Sequence, residues 1–360
     1  MTVQENVALA PLTTLGVGGP ARWYVEARNE ADVRDALAWA RTRSVPSFVL
    51  GGGSNLVVAD TGFEGMVVRP RIPGVEVREI DDVVEVTVGA GESWNAFVRH
   101  TVDNRWAGIE CLAGIPGSVG AAPVQNIGAY GQEVSDTLAR VRAWDREAGK
   151  VVNIPARECG FAYRASRFNG VDTGRFVILS ATFTLVPGGH ALVRYPDLRR
   201  HFEKMRGRPN LREVFDAVRT IRARKGMLLA PDDAESRSAG SFFKNPTLQV
   251  KAWAKLVEKA GDLEVPCFPQ GDGTRKIPAA WLIETAGVRR GDAYGAVRVS
   301  RKHVLALVNE GGATASEVVE AARAIQSSVK AKWDIRLAPE PVFVGFAADA
   351  ILPEGAIRAK

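Results

Sequence analysis

Gly51-Gly52-Gly53-Ser54-Asn55 and Gly114-Ile115-Pro116-Gly117-Ser118-Val119-Gly120-Ala121-Ala122-Pro123-Val124-Gln125-Asn126-Ile127-Gly128-Ala129-Tyr130-Gly131 are the stretches on which the reading of this chain turns. The first follows Ser47-Phe48-Val49-Leu50, a short apolar run that reads as a strand. Glycines after a strand permit positive φ and let a ligand approach the main chain closely. Successive N–H groups make an anion nest, and Ser54 and Asn55 add side-chain hydrogen bonds. A tight turn without a ligand is the other reading of this stretch alone. No Gly-Lys-Ser/Thr closes it, so it is not a Walker A loop. The Gly-x-Gly-x-x-Gly spacing of a dinucleotide turn fails at Leu56. The second stretch is too poor in large side chains to be a core element. The 21 residues of 111–131 need a reason to be ordered, and wrapping a large cofactor supplies one. Two separate backbone cradles suit a cofactor with a pyrophosphate and a flat ring.

Outward from these loops the pattern is α+β. Asn29 with Asp32 opens a helix on which Val33, Ala36, Leu37 and Ala40 recur at helical spacing. A strand is expected at 66–69. Past Pro70, Val84, Val86 and Val88 alternate with polar or small residues, a period of two. Ser93 begins a helix with Trp94, Phe97, Val98, Thr101 and Val102 on one face. Strands are expected at 139–144, 151–154 and 176–186. Helices are expected at 212–225, 250–260 and 278–286, the last closed by Gly287. Residues 297–308 are strand-like, and Thr314 with Glu317 forms a capping box for a further helix. Residues 333–346 read as extended. Breaks are expected near Pro70 and near 224–235.

Composition narrows the class. The 360 residues are 46% hydrophobic and 24% charged, which suits two or three globular domains and excludes disorder as the main state. Apolar runs such as 176–185 are far short of the roughly 18–20 residues of a membrane helix. The first ten residues lack the pattern of a secretory signal. Cys111, Cys159 and Cys267 fit neither a disulfide framework nor a zinc site, and a reducing cytoplasm is the expected compartment. The net charge of +6 is modest and compatible with an anionic small ligand. The dense basic group Arg219, Arg222, Arg224 and Lys225 reads as a solvated face, and nucleic-acid binding is not expected.

The glycine stretches resemble the UDP-N-acetylenolpyruvoylglucosamine reductase (MurB) family. The resemblance continues through Glu158-Cys159-Gly160-Phe161-Ala162-Tyr163-Arg164-Ala165-Ser166-Arg167-Phe168, then Ala239-Gly240-Ser241-Phe242-Phe243-Lys244-Asn245-Pro246, then Leu337-Ala338-Pro339-Glu340-Pro341-Val342-Phe343. The five motifs keep the family's order and cover nearly the whole chain. The 121–130 run and Tyr195-Pro196-Asp197-Leu198 look like its type I branch. The resemblance implies a three-domain α+β flavoenzyme. Two FAD-binding units of the PCMH-type fold would span 1–69 (with 345–360 packing back on it) and 70–224, and 225–344 would form an α+β substrate-binding unit. It implies non-covalent FAD, with NADPH as co-substrate. The reaction is reduction of UDP-N-acetylglucosamine enolpyruvate to UDP-N-acetylmuramate, a cytoplasmic step of peptidoglycan precursor synthesis, with hydride going from flavin N5 to C3. A monomer is expected, without membrane or nucleic-acid partners and without a metal.

Hydride addition at C3 drives negative charge onto C2 and its carboxylate, so the site needs fixed positive charge and a proton donor. By motif position Arg164 is the carboxylate-recognising cation, since guanidinium is always charged and binds carboxylate bidentately. Ser241 is the proton donor to C2, and Glu340, stiffened between two prolines, is the third catalytic group. FAD contacts are expected at Gly51, Gly52, Gly53, Ser54, Asn55 and Leu56, at Gly114, Ile115, Pro116, Gly117, Ser118, Gly120, Ala121, Asn126, Ile127 and Gly128, and at Ile178. Substrate contacts are expected at Tyr130, Tyr163, Tyr195, Lys225, Asn245 and Lys276. The four histidines, His303 included, read as structural.

Two segments depart from the family pattern. Residues 226–238 are longer than usual and read as a surface loop. Arg298-Val299-Ser300 stands where a smaller residue and His are expected, and no role is carried onto it. The rival reading is another PCMH-type FAD enzyme, a carbohydrate or alcohol oxidase. Such enzymes often tether flavin through a histidine near the first loop, and here no histidine precedes His100. A second rival is a non-enzymatic nucleotide- or nucleic-acid-binding module.

Overall fold

Around the first glycine loop the chain builds a strand–helix–strand crossover. The computed structural model describes residues 1–359. Strands β1 (Gln4–Ala8) and β2 (Pro20–Ala27) lead into helix α1 (Glu30–Thr42), and β3 (Ser47–Val49), β4 (Leu56–Val58) and β5 (Phe63–Pro70) follow. The Asn29 side chain accepts the Asp32 N–H at 2.8 Å and starts α1. The first sheet has the order β1-β2-β5-β3, with β2 and β3 parallel to β5. Val25, Met66 and Val68 share one core cluster with Val33, Ala36 and Ala40 of α1.

The chain changes sheets after Pro70. Hairpin β6 (Val75–Ile80) and β7 (Val83–Gly89) precedes α2 (Trp94–Asp103), which Ser93 caps. Strands β8 (Leu138–Asp145), β9 (Lys150–Pro155) and β10 (Phe176–Pro187) complete a sheet of order β9-β8-β10-β7-β6. Val84, Val86 and Val88 are buried, as their alternation requires. Strand β10 is apolar on both faces for a reason. Val177 and Leu179 enter the first unit's core. Ile178, Ala181, Phe183 and Leu185 enter the second core with Trp94 and Phe97. This strand therefore docks the two units together, and it carries Ile178 beside the glycine loops.

Helices α3 (Pro196–His201) and α4 (Leu211–Arg224) follow, then α5 (Val250–Ala260), α6 (Ala279–Thr285) and α7 (Ala315–Trp333). Capping boxes at Asn210/Glu213 and Thr314/Glu317 start α4 and α7. The 297–308 run is two strands, β11 (Val297–Val299) and β12 (Leu307–Asn309), rather than one. Between them Ser300 Oγ accepts the Lys302 and His303 N–H groups and turns the chain. Within 333–346 the extended chain starts later than expected, because Trp333 still belongs to α7 and Asp334 ends that helix in the left-handed region at φ 57°; Pro339 bridges antiparallel to Phe243, and β13 (Val342–Val344) follows.

Strand β13 lies parallel to β4, with Val342 opposite Leu56. The last strand, β14 (Ile357–Arg358), pairs with β13 on its other side. Residues 357–359 thus return to the first unit, while Phe346, Leu352 and Ala356 pack against the core that holds α5–α7, and Lys360 lies outside the described residues. In parallel neighbours the preceding loops emerge at the same end. The Gly51–Asn55 loop before β4 and Glu340 before β13 are therefore brought together.

Segment 226–238 is not a free surface loop. Glu235 is buried, and its carboxylate accepts Ser300 Oγ at 2.5 Å, the Arg301 N–H at 2.9 Å and the Arg301 guanidinium at 3.0 Å. Lys302 pairs with Asp233 at 2.6 Å. A buried carboxylate needs such donors to be tolerated, so the two segments that depart from the family pattern are bound to each other.

Candidate active site

Ser241 is set by the aromatic pair that follows it. Phe242 and Phe243 are buried with Phe343. Phe242 donates its N–H to Leu305 O at 2.7 Å and accepts the Glu340 N–H at 2.8 Å. Gly240, at φ 71°, makes the turn into Ser241. Ser241 and Glu340 are thereby fixed on adjoining chain segments, and both line a cavity of about 150 Å³ together with Arg164.

Arg164 sits in a tight turn in which Ala162 and Ala165 exchange backbone hydrogen bonds at 3.0 and 3.1 Å. Its φ of 54° lies in the left-handed region. For a non-glycine residue that conformation costs on the order of 1 kcal/mol and persists where the surroundings impose it. Its guanidinium donates to Glu340 Oε1 at 3.1 Å and to Gly128 O at 2.8 Å. Burial pushes the Glu340 carboxyl above the usual carboxylate range, against the opposing pull of Arg164 and Lys244.

A second arginine faces this cavity. Arg222 donates to Gly114 O at 3.1 Å and to Met227 O at 2.7 Å, and among the described residues no carboxylate pairs with it. The basic run on α4 is therefore not wholly a solvated face. Position 222 lies one helical turn beyond buried Val218, so an arginine on the apolar face was the signal in the sequence.

The cavity continues into a second of about 200 Å³, sharing Ser54, Asn55, Pro116, Gln125, Ile127 and Glu340 with it. That one opens into a third of about 200 Å³, sharing Phe48, Val49, Gly51, Ser118, Ala121 and Ile357. The result is one channel. Its middle is lined by both glycine loops, Leu56 included, and its far end by Phe176, Ile178, Gly120 and Arg146. Among the described residues, the N–H groups from Gly51 to Asn55, and those of Gly117 and Ser118, donate to no protein acceptor. A Cβ at Gly52 would lie 2.4 Å from Gly117 Cα, so the two loops meet backbone to backbone. Ser54 Oγ donates to Pro116 O at 3.0 Å, and Asn55 Nδ2 to Gln125 Oε1 at 2.9 Å. Free amides at mid-channel, charged groups at one end and a largely apolar far end, where Arg146 and Arg358 are engaged by main-chain carbonyls, fit a dinucleotide with a pyrophosphate and two ring systems. Among the described residues no histidine or cysteine lines the channel, and no group of metal-binding side chains occurs.

Two expected cofactor contacts are placed otherwise. The Asn126 side chain donates to Glu133 at 2.8 Å and to Ala162 O at 3.2 Å, and accepts the Ser135 N–H at 2.9 Å. It holds the loop's shape from behind. Gly114 lies on a cleft that shares Gly51, Gly52, Gly117 and Ser118 with the channel, and its carbonyl holds Arg222. Gln125, Thr14 and Lys244 line the channel without having been expected there.

The six expected substrate residues form two clusters. Tyr130 and Tyr195 meet edge to face at 5.4 Å. Lys225 stands 5.9 Å from the Tyr130 ring but pairs with Asp197 at 2.6 Å. Burial raises the Tyr130 hydroxyl to about 12. In the other cluster Lys276 lies 4.3 Å over the Tyr163 ring, and Asn245 Oδ1 accepts the Ala279 N–H at 2.8 Å. Neither cluster lines the Ser241 cavity. The first adjoins it through Gly128 and Gly226, the second through Arg164. His303 is half-buried, accepts the Leu305 N–H at 3.1 Å and is held down at about 4 by burial, so it is neutral.

Comparison with known proteins places these features in a family. An FAD binding domain model matches residues 21–155, and a model of the UDP-N-acetylenolpyruvoylglucosamine reductase C-terminal domain matches 232–344. The UDP-N-acetylenolpyruvoylglucosamine reductase of Thermobifida fusca is 43% identical over 349 residues, covering 95% of this chain and 98% of its own. That of Salinispora arenicola is 44% identical over 346 residues, covering 94% and 95%. The crystal structure of the Thermus caldophilus enzyme, 26% identical, matches with a TM-score of 0.66 over 95% of this chain and 99% of that one.

Proposed function

The chain belongs to the UDP-N-acetylenolpyruvoylglucosamine reductase family, and on that premise we propose that Arg164, Ser241 and Glu340 divide the chemistry of its substrate reduction. The protein is an oxidoreductase, a UDP-N-acetylmuramate dehydrogenase, with FAD as cofactor and NADPH as co-substrate. Bound FAD would supply the hydride chemistry that links NADPH oxidation to reduction of UDP-N-acetylglucosamine enolpyruvate at C3.

The observation that carries the assignment of roles is the meeting of Arg164, Ser241 and Glu340, from three distant segments, in one cavity at the charged end of the channel. Arg164 neutralises the enolpyruvyl carboxylate, and its bonds to Gly128 O and Glu340 hold it in place. Arg222, without a carboxylate of its own, adds a second fixed cation where negative charge gathers. Glu340, which keeps its proton above the usual range, donates a hydrogen bond to the developing enolate and does not repel it. Ser241 delivers the proton to C2. Its hydroxyl is a weak acid in water, but an enolate carbon is a strong base and the transfer is short.

The free amides of Gly51–Asn55, Gly117 and Ser118 would hold the pyrophosphate of FAD, with the adenosine end among Phe48, Phe176 and Ile178. The absence of histidine and cysteine from the channel walls, among the described residues, favours a non-covalent flavin. We assign residues 1–69, with the returning C-terminal segment, and 70–224 to the FAD-binding units, and 225–344 to the substrate-binding unit. The change of sheet after Pro70 and the β4–β13 pairing support that division. Tyr130, Tyr195, Lys225, Tyr163, Asn245 and Lys276 are assigned to the sugar nucleotide, with Lys225 exchanging Asp197 for a pyrophosphate oxygen. A cytoplasmic monomer fits three unpaired cysteines and a channel complete within one chain.

Half-reactions test the roles. Ser241→Ala is expected to leave flavin reduction by NADPH intact and to slow flavin reoxidation by the enolpyruvyl substrate about 10²- to 10⁴-fold in stopped-flow absorbance. Equal loss in both halves would remove Ser241 from the proton transfer.

A further inference from the structure

We infer that the C-terminal segment 346–359 is a strap that completes the wall of the cofactor channel and sets how long FAD stays bound, with Ile357 as its contact residue. The inference rests on the assignment of this channel to FAD.

Strand β14 puts Ile357 opposite Val342, and Val342 lies opposite Leu56. All three side chains line the middle cavity, so one row across three parallel strands makes a single wall. Ile357, Arg358 and Ala359 also line the far cavity, where no member of the expected site lies except the glycine-loop residues and Ile178. Leu56 and Val342 are each held in strands of three residues. Ile357 is held by a strand of only two residues, which like β4 is an edge of this three-stranded sheet. It is the part of this wall that can leave without unpairing the others.

The remainder of the strap is built to hold that strand in place. The Arg358 guanidinium donates to Phe346 O at 3.2 Å, to Ala350 O at 2.7 Å and to Ala347 O. It folds the excursion back on itself like a buckle and is thereby engaged with main-chain carbonyls. Gln326 on α7 exchanges two hydrogen bonds with the Glu354 backbone, at 2.8 and 3.0 Å. The Ala359 N–H donates to Phe343 O at 2.8 Å. Arg336 pairs with Glu354 at 2.5 Å, and Phe346, Leu352 and Ala356 pack on the core that holds α7. Opposite β14 the wall is formed by Phe48 and Val49, by the second glycine stretch and by Phe176 and Ile178. Ile357 lines both the middle and the far cavity, so peeling of β14 opens the two together.

The test uses the flavin-loaded full chain and follows FAD release by flavin fluorescence after dilution. Ile357→Ala removes the contact and Arg358→Ala removes the buckle. Each is expected to speed FAD dissociation roughly tenfold, the size expected for losing most of one buried aliphatic contact. Ile357→Val is expected to restore most of the retention. Limited proteolysis is expected to cut within 346–359 in the flavin-free protein and to spare it in the loaded one. Deletion of 346–360 is the stronger variant but also uncovers packing against α7, so the point variants decide. Unchanged release rates in both, with thermal unfolding of the flavin-free forms also unchanged, would overturn the strap. Failure of the unaltered chain to bind FAD at all would instead overturn the assignment of the channel.

Discussion

Phe48, Phe176 and Ile178 at one end of the channel, and Arg164, Ser241 and Glu340 at the other, line the same passage with opposite chemistry. The far end is built from strand residues whose neighbours lie in the cores of two sheets. It contributes contact area and excludes water, which supports binding without favouring any step of a reaction. The near end is built from turns. There Arg164 holds a left-handed backbone conformation, burial raises the Glu340 carboxyl above its usual range, and among the described residues no carboxylate pairs with Arg222. Such groups are unfavourable to fold and useful for stabilising developing charge. The contrast separates cofactor retention from reactivity, so substitutions at the two ends should fail in different assays.

The sharpest break is expected at Arg164. Arg164→Ala should slow flavin reoxidation by substrate about 10²- to 10³-fold, the usual size for loss of one preorganised charge-stabilising group. Flavin content, read from visible absorbance, should stay near that of the unaltered protein. Near-normal turnover would leave the near end without its carboxylate anchor. Gly52→Val should produce the converse. Its side chain would drive into the Gly117 backbone, so flavin affinity should fall at least about tenfold in a fluorescence titration. Protein retaining full affinity would show that the two loops separate freely.

Glu340 gives a smaller, pH-dependent effect. Its folded-state carboxyl is raised, so it is protonated below that value and loses its proton as pH rises through it. The substrate half-reaction should therefore decline on that rise, while flavin reduction by NADPH should not. The folded chain also binds this proton more tightly than the unfolded chain between the two values, so stability should fall as pH rises across the same window. Glu340→Gln, permanently neutral, should lose that alkaline decline. A decline that persists in the variant would assign it to another group. The smallest effect is expected far from the channel. Arg22 and Glu64 are more than half exposed, and Glu64→Ala, which leaves Arg22 over the Trp23 ring, should change stability by under about 0.5 kcal/mol in urea unfolding and leave both half-reactions unchanged.

Much of this was legible in the chain because local rules sufficed. Asn29, Ser93 and Thr314 each start a helix where a short polar side chain precedes an apolar periodic run. The glycine stretches announced themselves because a close backbone approach excludes a Cβ, and the catalytic trio followed from the motifs that frame it. Other features were hidden. Segment 226–238 looked like a loop because nothing local shows that Glu235 is met by Ser300 and Arg301, about 65 residues later. Asn126 looked like a cofactor ligand, yet Glu133 and Ser135 engage its amide. The place of Ile357 depends on a parallel pairing with Val342, which no local pattern encodes.

The sequence alone therefore determined the α+β character, the two backbone cradles and, through the motifs, the family and the residues to examine. These depend on steric and hydrogen-bonding properties within a few residues of each site. Only the tertiary structure decided that Arg164, Ser241 and Glu340 share one cavity, that Arg222 faces it with no carboxylate partner among the described residues, and that the C-terminal strand lines the channel. Those outcomes depend on which strands lie side by side and which charges lose their water, and burial of that kind is a property of the assembled chain.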